Sequence, residues 1–103
     1  MSTPLESLNA AAFREQLRGK FNVNVGNGRL IALELVEVTE SDPSPNIELF
    51  SLLFHGPLQP RLNQQIHRLE HEKLGAFEIF LTAIAEENNR TIYESVFHRF
   101  RKS

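Results

Sequence analysis

The sequence predicts a mainly β domain, a small antiparallel β-barrel or strongly curved sheet of about six strands with one N-terminal α-helix. Three observations carry the prediction. Apolar residues alternate with polar ones in several separate stretches, the spacing of a strand with one buried face. Clusters of Gly, Pro, Asn and Asp separate those stretches. A helix-start signal stands close to the N-terminus.

Residues 1–8 read as a flexible tail and residues 9–100 as one domain. Asn9 is a good N-cap ahead of Ala10, Ala11 and Ala12, all strong helix formers. Leu8 and Phe13 hold the two positions of a hydrophobic staple. Phe13 and Leu17 are four apart and share a face, and Gly19 can end the helix in the left-handed conformation. A helix over 9–18 is too short to stand alone, so its Phe13/Leu17 stripe must dock on a sheet.

Phe21, Val23 and Val25 alternate with Asn22 and Asn24, which predicts the first strand. Gly26-Asn27-Gly28 then has hairpin-turn chemistry. In the partner strand, 30–38, Ile31, Leu33 and Leu35 line one face. Val36 and Val38 fall on the other, which predicts a β-bulge near Leu35-Val36. Residues 41–46 read as a loop, because Pro43 and Pro45 cannot donate to a ladder. Residues 47–55 form the most apolar stretch, with Phe50, Leu52 and Phe54 on one face and Ile47, Leu49 and Leu53 on the other. That predicts an interior strand between two layers, stopped by Gly56-Pro57. Farther on, Phe77, Ile79 and Leu81 alternate with Glu78, Phe80 and Thr82. After a turn at 86–89, Tyr93, Ser95 and Phe97 alternate with Glu94, Val96 and His98.

The segment 60–75 is ambiguous. Leu62, Ile66 and Leu69 recur at helical spacing between Pro60 and Gly75, and neither face is cleanly apolar as a strand. Here a resemblance decides. Phe50-Ser51-Leu52-Leu53-Phe54-His55-Gly56-Pro57, Leu69-Glu70-His71, Leu74-Gly75 and Tyr93-Glu94-Ser95-Val96-Phe97 resemble a family of small bacterial proteins of about 100 residues. That family is catalogued as a domain of unknown function. The resemblance extends to Phe13 and Phe21, and it implies a strand over 63–71 against the segment's own periodicity. It brings no catalytic residues. It carries an association with phage-tail-like collar proteins, which implies a place in a multiprotein particle.

Composition narrows the function classes. A net charge of -2 and a pI near 6.1 give no global attraction for nucleic acid. Without cysteine there are no disulfides, thiolate metal sites or cysteine nucleophiles. The N-terminal residues lack the basic start and apolar run of a secretory signal, and no apolar stretch approaches the roughly 20 residues of a membrane helix. The expected setting is cytoplasmic, with no membrane or nucleic-acid partner. Arg99, Arg101 and Lys102, with Phe100 interleaved, make the last five residues basic and 101–103 a basic tail, but three charges are too few to hold nucleic acid at physiological salt.

Three histidines are the weak candidates for chemistry. His67-Arg68-Leu69-Glu70-His71 matches the letters of the inverted zinc-peptidase motif. On a helix, residues four apart can share one metal, whereas on a strand they stand about 13 Å apart. His55 ends the strongest strand, where it can act as acid or base or simply bond a turn. The leading expectation is a non-catalytic interaction or assembly module without catalytic residue, metal or cofactor. Its contact surface would be a sheet edge at Phe21, Asn22, Val23, Asn24 and Val25, for self-association or a protein partner, since these residues carry no protective charge. The alternatives are a β-barrel binding a small ligand between Phe walls and, behind it, a histidine-dependent enzyme through His55 or His67/His71.

Overall fold

The strand-like alternation of the sequence becomes an inward–outward alternation around a closed sheet. The computed structural model describes residues 8–26 and 28–100. They form α1 (Ala10–Arg14), β1 (Lys20–Asn24), β2 (Leu30–Ser44), β3 (Ile47–Pro57), β4 (Gln65–His71), β5 (Gly75–Glu87) and β6 (Arg90–Phe100). All pairings are antiparallel, and the six strands close in a ring in the order β1-β2-β3-β6-β5-β4. The chain therefore makes two three-stranded meanders. They are joined along β3/β6 by a long ladder from Ile47↔Phe100 to Pro57↔Arg90. On the far side they meet at β1/β4 through only Asn22↔Glu70 and Val23↔Leu69.

Inward residues are those the alternation selects: Phe21 and Val23, Ile31, Leu33 and Leu35, Phe50, Leu52 and Phe54, Phe77, Ile79 and Leu81, Tyr93 and Phe97. The bulge expected at Leu35-Val36 is present. Pairing passes from Leu35↔Phe54 to Glu37↔Leu53, so Val36 is the extra residue, and Val38 then packs against the core. The β5–β6 hairpin turns on Asn88 and Asn89, with φ of 53° and 64°, the two positive values a type I′ turn requires.

The helix is shorter than the sequence predicts. Asn9 caps it, its Oδ1 accepting from Ala12 N at 2.8 Å, but regular helix ends at Arg14. Leu17 consequently leaves the docked face and is 39% exposed. The left-handed residue is Arg18, with φ of 72°, rather than Gly19. Leu8, expected in the tail, is buried in the core. Residues 1–7 and 101–103 lie outside the described residues, as does Asn27.

Other boundaries also move. Gly56-Pro57 does not stop β3, which pairs through both residues with Thr91 and Arg90. The loop expected at 41–46 shrinks, since β2 and β3 pair as far as Ser44↔Ile47 with a register break after Ser41. Ile47, Leu49 and Leu53 are half-buried, so β3 has one core face, and among the described residues no second layer covers the other. The ambiguous segment is a strand from Gln65 onward. Its helical spacing is a coincidence of unlike environments. Leu62 is buried in the preceding loop, Leu69 faces the core and Ile66 is 63% exposed on the outer face.

Sequence reasoning expected residues 21–25 to form an open edge. Ring closure covers it in part, because β1 pairs with β2 along its length and with β4 at Asn22 and Val23 alone. Phe21 and Val23 point into the core and are 0% and 1% exposed. A longer stretch of unpaired flanks lies between β5 and β6.

Candidate functional site

The three candidate histidines do not converge. In the ring, β3 and β4 are separated by two strands in either direction, so His55 and the His67/His71 pair stand on opposite walls. His67 and His71 lie on a strand, where four residues span about 13 Å. Among the described residues no cluster of three His, Cys, Asp or Glu could hold a metal ion.

Each histidine has a structural partner. His55 Nδ1 accepts from Arg90 Nη1 at 2.9 Å, across the β3/β6 ladder. His67 Nε2 lies 2.7 Å from the Asn63 carbonyl, which can only accept, so that nitrogen carries the proton. His71 Nδ1 accepts from the backbone N–H groups of Lys73 at 3.0 Å and Leu74 at 3.1 Å, fastening the β4–β5 turn. Its ring packs on Phe21, centroids 4.5 Å apart.

This geometry needs a neutral His71. Burial is the main cause holding its pKa below the ordinary 6.5; the charge of Lys73 acts in the same direction and that of Glu72 opposes it. The unfolded chain therefore binds the proton at higher pH than the folded one. The contribution of neutral His71 is fully present above 6.5 and is lost as pH falls through the lowered folded value. Wild-type melting temperature should fall between about pH 7.5 and about pH 5. The fall should be smaller in His71→Asn, whose Oδ1 can replace Nδ1 as acceptor without titrating. Equal slopes in thermal melts of the two proteins would remove His71 as the source.

The largest irregularity of the ring is a split between β5 and β6. Their ladder runs from Glu87↔Arg90 up to Thr82↔Glu94 and goes no farther. Above that point β5 continues beside β4 alone, and β6 continues beside β3 alone. The flanks at 76–81 and 95–100 thus face each other without a ladder. A groove of about 340 Å³ lies there, lined on one side by Glu78 and Phe80 and on the other by Val96 and His98. The outer surface beside it is apolar. Ile66 and Phe80 are direct cross-strand partners, 63% and 48% exposed, and Val96 is 59% exposed.

The interior explains how the sheet tolerates the split. Phe13, carried by α1, places its ring 5.6 Å from that of Phe77 on β5 and 5.8 Å from that of Phe97 on β6. It also contacts the rings of Phe21 and Phe50. Phe97 stacks on Phe50 at 4.5 Å, and the Arg99 guanidinium lies over both. Arg99 is held by Glu48 at 2.8 Å and donates to the Leu8 carbonyl. The helix thus seals from within the place where the strands part.

A second cleft, of about 440 Å³, opens at the other end of the ring, where β1 and β4 part beyond Val23↔Leu69. The loop 58–64 folds beneath it and is anchored by Leu62 N, which donates to the Tyr93 hydroxyl at 2.8 Å. Arg29, Arg61, Asn24, Asn63 and His67 are among its lining residues.

The family model for a domain of unknown function, DUF6916, matches residues 8–97. The chain belongs to that family. Neither a curated protein nor a solved structure matches it. The DUF6916 match starts at Leu8, a residue buried in the core. Neither the split nor the cleft of this DUF6916 chain was identified from sequence. The one available signal for the split was the run 76–81, where Phe80 breaks a clean inward–outward pattern by being apolar and outward. Arg29 and Arg61 gave none, since they meet only through ring closure.

Proposed function

We propose that this domain is a non-catalytic interaction module that receives an extended segment of a protein partner at the β5/β6 split. One observation carries the reading: two strand flanks face each other without a ladder beneath exposed Ile66, Phe80 and Val96. Unpaired strand flanks are templates for an added strand, whose main chain supplies the bonds and whose alternate side chains supply specificity. A contiguous exposed apolar surface beside such flanks favours docking. The small-ligand alternative draws less support, because Phe13 and its neighbours fill the interior that Phe walls would otherwise enclose. The enzymatic alternative draws less support still, since its histidines face different surroundings and are each bonded to the scaffold.

The test uses a displayed library of random nine-residue peptides panned against the purified domain. Selected peptides should show apolar residues at every second position. They should slow amide exchange at 76–81 and 95–100, and should lose binding to Phe80→Lys/Val96→Lys. Failure to enrich any sequence, or equal binding by the double variant, would overturn the proposal.

A further inference from the structure

We propose that the cleft at the β1/β4 end binds a small oxyanion, with the Arg29 guanidinium as its principal contact. The inference is independent of docking at the split. It rests on what the cleft walls offer chemically.

Among the described residues no Asp or Glu lines the cleft, although the chain has 13 acidic and 11 basic residues. Its charged lining residues are Arg29 and Arg61. Arg61 is ion-paired to Glu86, whereas the Arg29 guanidinium makes no hydrogen bond or ion pair with any described residue. Two of the nearby acceptors are already occupied. Asn24 Oδ1 is occupied as an acceptor by Gly26 N at 2.8 Å, which leaves its NH₂ as the group it can offer. The Asn63 carbonyl is occupied by His67 Nε2. A cleft whose described lining holds no carboxylate and whose Arg29 guanidinium has no described partner is complementary to a carboxylate or a phosphate. Val25, 39% exposed, and Pro60 add a small apolar wall, which suits an organic acid or ester with a short hydrocarbon body.

The architecture supports a preformed site. Arg29 follows a tight turn in which Val25 N donates to Arg29 O at 3.0 Å and Arg29 N to Gly26 O at 2.9 Å. The opposing loop is tied to the core through the Leu62–Tyr93 bond. One wall is thus a turn closed by its own main-chain hydrogen bonds, and the other is a loop tied to the core through a side-chain hydroxyl.

The experiment is an amide NMR titration at low ionic strength with sodium phosphate in one arm and sodium hexanoate in the other. At least one should give saturable shifts confined to residues 24–29 and 61–67, and the arm that saturates identifies the headgroup. Arg29→Gln should weaken that binding by about ten-fold or more, the loss expected for a charge-assisted contact. Arg18→Gln, a control at the helix end of the ring, should leave it unchanged. Arg29 is exposed in a turn, and an otherwise unchanged spectrum will show that its variant is folded. Shifts that grow linearly with either anion, shifts scattered over all surface arginines, or equal affinity in Arg29→Gln would each overturn the proposal.

Discussion

Phe13→Ala is expected to lower the free energy of unfolding by about 3–5 kcal/mol, the range for an aromatic side chain removed from a packed core. Phe13 is fully buried and lies within 5.6–6.4 Å, centroid to centroid, of four other phenylalanine rings. Those rings belong to β1, β3, β5 and β6, and α1 is too short to refill the space by shifting. Aromatic pairs contribute beyond the area they bury, and here several are lost together. The loss should approach a large part of the roughly 5–15 kcal/mol that stabilises a domain of this kind. Urea denaturation will measure it. Phe100→Ala is the control, since that ring is 83% exposed and its removal should change stability by about 0.5 kcal/mol or less. A Phe13→Ala midpoint no lower than that of the control would refute the packing described for the helix.

Gly56→Ala should cost about 1–3 kcal/mol, the usual penalty for overpacking a filled core. A Cβ at Gly56 would lie 2.7 Å from Leu33 Cδ2 and 3.1 Å from Tyr93 Cε2. Both neighbours are buried, and Tyr93 is tethered through its hydroxyl to Leu62 N. Moving its ring would strain that bond and the loop it anchors. The clash can be isolated in a double-mutant cycle. In a Leu33→Val background, which removes Cδ2, the added methyl should cost less. Identical costs in the two backgrounds would show that Leu33 is not the obstacle.

Gly56 also illustrates what the sequence conveys and what it conceals. Gly-Pro is turn punctuation, and reading it as the end of a strand follows from local chemistry. The actual requirement is non-local: β3 needs a residue without a side chain where Leu33 and Tyr93 meet. The strands were legible because inward residues repeat with period two, and even the bulge at Val36 showed as a change of parity. β4 was illegible from its own residues because its inward positions include His67 and His71, which break the apolar pattern. Helix length was misjudged because Phe13 and Leu17 match helical spacing. The chain instead turns after Arg14, so that Arg18 N can donate to Leu35 O and Gly19 O can accept from Leu35 N. The candidate surfaces were hidden for a related reason. A split and a cleft are places where ladders stop, and ladder length depends on the curvature of the whole ring.

The two joints between the meanders are unequal, and this gives the ring a direction of weakness. The β3/β6 joint runs the length of both strands, whereas β1/β4 holds by two residue pairs between segments more than forty positions apart in sequence. Closing so distant a contact has a high entropic cost, and few bonds reward it. Assembly is therefore expected to begin with the meanders and their shared seam, with the β1/β4 latch engaging last. In the finished protein the same latch is expected to exchange its amide protons before the β3/β6 seam does, the two-pair joint being the cheaper one to open.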